Sequence, residues 1–290
     1  MNTLKTWLLM GILTVLIVWL GSAFGGERGA VFALVAALAL NGFSYFFSDR
    51  IALSMAQARE ADEHSQPELF TLVRHLATRA GLPTPRVYVS PSPQPNAFAT
   101  GRDPRHSAIV VNTGLLAALS ERELAGVLAH EMSHIRHRDI LIASLAATLA
   151  AAITWLADMM RWAMFWGGLG GNDERNQNWI ADLALMILAP IAAVLIQLAI
   201  SRSREYKADA GAARLTRDPD GLADALAKLD HSPRFGNSRP RANRQQPDAA
   251  AAAMAHLYIV NPLRGKQIAT LFATHPPTEE RIRRLRLMRI

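Results

Sequence analysis

The sequence predicts a mainly α-helical membrane protein, in which four membrane-spanning helices carry a soluble helical portion with a small β-sheet. Three observations lead there: four long stretches without a charged residue, amphipathic helical repeats outside them, and two short runs rich in β-branched residues. Hydrophobic residues make up 50% of the 290, so the polar remainder suffices for one soluble domain of roughly 150 residues.

Residues 6–26 and 29–48 hold no Asp, Glu, Lys or Arg, and each matches the roughly 20 residues a helix needs to cross a bilayer. Lys5 ahead of the first stretch and Gly21-Ser22-Ala23 near its end imitate a cleaved signal peptide. The apolar run is too long for one, and a second begins after only Glu27 and Arg28, so the pair reads as an uncleaved hairpin anchor. Residues 68–80 repeat apolar positions at helical spacing and stop at Gly81, while 86–89 and 108–111 read as strands. Ser120-Glu121-Arg122-Glu123 has the form of a capping box, and Leu124, Val127 and Leu128 continue as an apolar stripe, so a helix starts there.

Residues 140–157 and 183–201 supply the third and fourth spans. They are short and contain polar atoms, so a buried core helix fits them as well. Residues 219–229 read as another helix, and 231–250, with Pro233, Gly236, Pro240 and several arginines, as a flexible loop. At the C-terminus, Glu279 and Glu280 open a helix whose later positions carry Arg281, Arg283, Arg284, Arg286 and Arg289. That order suits the helix dipole, and it places these arginines beside anionic lipid headgroups.

The chemistry resides in His130-Glu131-Met132-Ser133-His134. Helix positions i and i+4 share one face, so two imidazoles grip a single ion while Glu131 points beside it, the arrangement of a zincin-like metalloprotease. A catalytic zinc normally takes three protein ligands and keeps one position for water. An extended local motif would put another histidine six residues after His134, but Ile140 stands there. His137 shares the helix and does not close the tetrahedron; it reads as a surface residue or a support to a ligand. Glu205 and Asp209 form a second i, i+4 pair. One carboxylate suits the metal and the other suits the free N–H of a ligating histidine, although a solvated helix face fits the same pair.

Four stretches then occur in a telling order: Asn96-Ala97-Phe98-Ala99, His130 to His134, Glu205-Tyr206-Lys207-Ala208-Asp209, and His275-Pro276-Pro277-Thr278-Glu279-Glu280-Arg281-Ile282. In these the chain resembles the HtpX-type membrane zinc metalloproteases, a gluzincin-like family whose wider relatives include the CAAX prenyl endopeptidases. The likeness runs from the first apolar stretch to the C-terminus and is weakest over 231–250. It implies one zinc ion per subunit, held by His130, His134 and Glu205, with Glu131 as catalytic base and Asp209 supporting a ligand. It further implies that His275 hydrogen-bonds an oxyanion. Asn96, Ala97, Phe98 and Ala99 are expected at a sheet edge that binds an extended substrate as an added strand.

The resemblance implies a substrate class too, damaged or misassembled membrane proteins, and leaves natural substrates, quality-control partners and any homo-oligomer open. Basic residues flank the stretches unevenly: Lys5, Arg50, Arg59, Arg136, Arg138, Arg202, Arg204 and Lys207 against Arg28, Arg161 and Arg175. This places the active site and both termini in the cytoplasm, in a multi-pass protein of a bacterial-type inner membrane. The expected organisation is a transmembrane hairpin over 1–48, a first part of the protease domain over 49–139, spans three and four over 140–200, and a second part over 201–290.

Other classes fit less well. The net charge of +7 invites a nucleic-acid partner, but no nucleic-acid-binding motif accompanies it. A metal transporter needs ionisable ligands inside its spans, and these stretches lack them. A membrane scaffold has no use for Glu131. The absence of cysteine removes disulfides and thiolate ligands and suits a cytoplasmic site.

Overall fold

The computed structural model describes residues 2–142, 202–230 and 276–290. The third span beyond Ile142, the fourth span, the 231–250 loop and His275 lie outside the described residues.

Helix α1 (Asn2–Met55) breaks at Gly26, whose φ of 58° and ψ of −145° suit a residue without a Cβ. Its two halves fold back on one another. Asn41 donates from Nδ2 to Thr14 Oγ1 at 2.8 Å and to the Met10 carbonyl at 3.3 Å, and a Cβ on Gly21 would lie 2.6 Å from the Gly29 carbonyl oxygen. The expected hairpin is therefore present, and its second arm runs on past Ser48 to Met55. Among the described residues, one helix, Gly26–Met55, is long and apolar enough to cross a membrane. It turns Val31, Phe32, Val35 and Leu38 outward, each at least 60% exposed.

Four strands, β1 (Arg59–Glu60), β2 (Arg86–Ser90), β3 (Ala97–Asp103) and β4 (His106–Asn112), form a mixed sheet in the order β1-β2-β4-β3. β2 and β4 run parallel, and the other pairs are antiparallel. Both faces are buried, which is why β4 reads as a nearly continuous apolar run. On one face Val87, Ala97, Ala99, Ile109 and Val111 join the main core. On the other, Tyr88, Phe98, Ala108 and Val110 pack against Ala52 and Leu53 at the end of α1.

The main core is completed by α2 (Pro67–Ala80), α3 (Thr113–Ala118), α4 (Glu121–Arg136), α5 (Arg202–Thr216), α6 (Pro219–Asp230) and α7 (Thr278–Arg286). The apolar stripe read from the sequence is the buried one: Leu124, Val127, Leu128, Met132 and Ile135 face inward, each worth about 1.5–3 kcal/mol of transfer free energy. α4 opens with the expected capping box, in which the Ser120 N–H donates to the Glu123 carboxylate at 2.7 Å and the Glu123 N–H to Ser120 Oγ. α5 meets α4 through small residues. Ala208 and Ala212 are buried, and a Cβ on Gly211 would lie 2.4 Å from Ser133 Oγ, so the two helices touch backbone to side chain.

The H-E-x-x-H helix does not continue unbroken into the third stretch: α4 ends at Arg136, Arg138 takes a left-handed φ of 58°, and helix resumes at Asp139. In a continuous helix, residue 139 would stand about 140° around the axis from residue 134. The break instead turns the Asp139 carboxylate onto the His134 ring, 3.2 Å from Nδ1.

Candidate metal centre

Two helices assemble the centre. α4 presents His130 and His134 one turn apart, and close contact with α5 delivers Glu205 to both. The imidazole Nε2 atoms lie 3.1 Å apart, with Glu205 Oε2 3.6 Å from that of His130 and Oε1 3.4 Å from that of His134. Donors held about 2.0–2.1 Å from a tetrahedral ion are spaced about 3.3–3.4 Å from each other, so the three separations fit a metal. Two imidazoles and one carboxylate also form a donor set used by hydrolytic zinc.

Each histidine turns its other nitrogen to a carboxylate. His130 Nδ1 is 2.9 Å from Asp209 Oδ1, and His134 Nδ1 is 3.2 Å from Asp139 Oδ2. A proton held on Nδ1 leaves Nε2 with its lone pair towards the centre. Both carboxylates are backed by arginine. Arg281 from α7 donates two bonds to Asp209, at 2.7 and 2.9 Å, and reaches to 3.8 Å from Glu205; Arg204 lies 3.5 Å from Asp139. The Arg284 guanidinium, 3.9 Å above the Tyr206 ring, pins α7 to α5 next to Glu205.

Charges this deep are shifted. Burial alone would lower the His130 pKa, but Asp209 and Glu205 outweigh it and raise it to about 9. A metal therefore competes with a proton at this ring, and loading releases it. Burial pushes the Asp209 carboxyl up, yet Arg281 and His130 hold it down at about 2. Burial dominates at Glu131 and raises its carboxyl above the usual carboxylate range.

Glu131 does not join the triangle of donors. Its Oε2 accepts the Ala99 N–H at 2.8 Å, tying the helix to the edge strand β3. Asn96 gives its carbonyl to the Asn112 N–H on β4, so by strand alternation Ala97 and Ala99 direct their backbone groups away from β4. Asn96, Ala97, Phe98 and Ala99 all have buried side chains. His137 caps α4 and is exposed, as a surface reading requires.

Of the residues singled out in the sequence, the structure brings together His130, His134, Glu205, Glu131, Asp209 and Ala99. Three participants were missed: Asp139, Arg204 and Arg281. Arg281 corrects a reading, because it is buried against Asp209 and does not lie with the C-terminal arginines at a surface. Its position inside the matched C-terminal stretch was the available signal. For Asp139 the signal was a charge immediately before a long uncharged run.

A family model described as peptidase family M48 matches residues 63–289. The chain belongs to peptidase family M48. A protease HtpX homolog from Syntrophotalea carbinolica is 51% identical over 293 residues, and one from Pelotomaculum thermopropionicum 50% over 292, each alignment covering the whole of both proteins. The crystal structure of S. mikatae Ste24p superimposes with a TM-score of 0.51 at 19% identity, over 97% of this chain and 67% of that one, which is a likeness of fold. The resemblance carried by the four stretches is thus borne out, and this M48 peptidase is a metalloprotease of the HtpX type.

Proposed function

We propose that this M48 peptidase is a zinc-dependent endopeptidase of a bacterial-type inner membrane that hydrolyses damaged or misassembled membrane proteins on the cytoplasmic side. The convergence of His130, His134 and Glu205, with Glu131 beside them on α4 and bonded to the Ala99 N–H of β3, carries the reading. The outward apolar face of Gly26–Met55 supports the membrane location. Three further uncharged stretches and the uneven flanking arginines support four crossings with both termini and the site in the cytoplasm.

His130, His134 and Glu205 would hold one zinc ion per subunit, and Asp209 and Asp139 would fix the histidine rings. Zinc held by these residues would supply a lowered water pKa and Lewis-acid polarisation of a peptide carbonyl. Glu131, whose pKa burial raises above its ordinary value, would take the proton from the attacking water and return it to the leaving amine. The Ala99 N–H keeps that carboxylate aimed before substrate arrives. An extended peptide pairs along β3 through the outward backbone groups of the Asn96 to Ala99 segment, which makes binding tolerant of sequence. His275, outside the described residues, would donate a hydrogen bond to the oxyanion.

The decisive experiment is Glu131→Gln. We expect one zinc per chain to be retained while peptide cleavage falls about 10²–10⁴-fold. Undiminished cleavage would remove Glu131 from the mechanism. Membrane proteins that accumulate with the variant but not with the wild type would be the substrates.

A further inference from the structure

We infer that a cavity on the back of the metal-bearing helices binds the phosphate group of an anionic phospholipid and thereby steadies the metal centre. The cavity measures 690 Å³ and lies where α2, α4 and α5 meet. Arg79, Arg136, Lys207 and Arg214 surround it, Met132, Ala210 and Gly211 line its wall, and among the described residues no Asp or Glu borders it.

Among the described residues, several other surface cations are paired with carboxylates, and these four are not. Arg74, Arg86, Arg122, Arg283 and Lys228 each hold a carboxylate within ion-pair distance. Among the described residues, no carboxylate pairs with Arg79, Arg136, Lys207 or Arg214. Four like charges around one concavity repel each other and focus a positive potential into it, and an anion entering there relieves the repulsion. A phosphodiester attached to hydrocarbon matches a cationic rim above an apolar wall.

Position favours a lipid as the source of that phosphate. Arg136 closely precedes the uncharged stretch 140–157, and Lys207 closely follows 183–201. If those stretches span the bilayer, as the proposed function holds, the cavity stands at headgroup level, and the inference rests on that reading. The cavity wall is also the turn of α4 between His130 and His134, and the turn of α5 after Glu205. One phosphate bridging Arg136 to Lys207 and Arg214 ties together the two helices that supply all three donors. The contact of Gly211 with Ser133 leaves no slack between them.

The test uses the full-length zinc-loaded protein in micelles containing phosphatidylcholine alone or phosphatidylcholine with phosphatidylglycerol. Native mass spectrometry counts retained lipid, and a chelator reports the rate of zinc loss. We expect one phosphatidylglycerol to be retained and zinc loss to slow roughly fivefold or more. The Arg136→Gln/Lys207→Gln/Arg214→Gln variant should lose both effects, and a control matched in charge, Arg74→Gln/Arg283→Gln/Arg289→Gln, should keep both. Equal retention of phosphatidylcholine, or equal loss in the control, would overturn the site. Equal protection by millimolar inorganic phosphate would overturn the lipid as its source, and retained lipid without slower zinc loss would overturn the coupling. The lipid count needs no metal, so a chain that binds lipid but never zinc would defeat the metalloprotease reading alone.

Discussion

His130 and His134 sit one turn apart on the same helix, yet their supports differ in kind. His130 rests on Asp209 and Arg281, side chains that are 3%, 4% and 1% exposed and joined by bonds of 2.7–2.9 Å. His134 rests on Asp139 and Arg204, which are 15%, 9% and 11% exposed, at 3.2 and 3.5 Å. The first arm is closed by a helix from the far end of the chain and belongs to the core. The second is built from residues that border two uncharged stretches, so the pose of His134 depends on how those stretches are placed. One candidate ligand is fixed by the fold, and the other is open to adjustment.

Breaking the first arm should have the largest effect on the fold. Arg281→Met leaves Asp209 charged and buried without its partner, and we expect a loss of about 3–5 kcal/mol in the denaturant unfolding of the zinc-free protein. An unchanged midpoint would remove the contrast between the arms. Asp139→Asn tests the second arm. Zinc affinity measured by calorimetry should weaken about 10–100-fold, with a smaller change in unfolding than Arg281→Met produces. Equal losses of stability in the two variants would show that both arms belong to the core.

The far end of α4 provides the smallest change and sharpens the comparison. Burial raises the Glu123 carboxyl, but bonds from Lys228 and Ser120 outweigh it and hold it below its ordinary value. Its contribution is therefore full above the unfolded value of 4.5 and fades as pH falls through the lower folded value. Glu123→Gln should cost about 1 kcal/mol at pH 7 and nothing near pH 2, with zinc affinity unaltered. A change in affinity would mean that the cap and the centre are coupled along the helix.

The histidine pair was legible because its signal is local, whereas Glu205 was selected by the resemblance. An i, i+4 pair of histidines behind a capping box specifies helix, face and chemistry at once, while the same spacing in Glu205 and Asp209 also fits a solvated face. Strand patterns at 86–89 and 108–111 survived for the same reason, and so did the hairpin turn near Gly26. What escaped depends on partners far away in the chain. Arg281 looks like its arginine neighbours until Asp209, 72 residues earlier, is seen against it. Asp139 escaped because Arg138 enters the left-handed region without the glycine or asparagine that announces such a turn. The break it makes is invisible to helical periodicity, since both sides of it are helix.

The reach of α7 across the molecule has a consequence for biosynthesis. A nascent chain carries its H-E-x-x-H segment early, but the guanidinium that clamps Asp209 to His130 belongs to residue 281 of 290. An unfinished polypeptide has the nucleus of a protease without the bolt that squares its first ligand. The first arm is thereby assembled only after α7 has been made and has docked against Asp209.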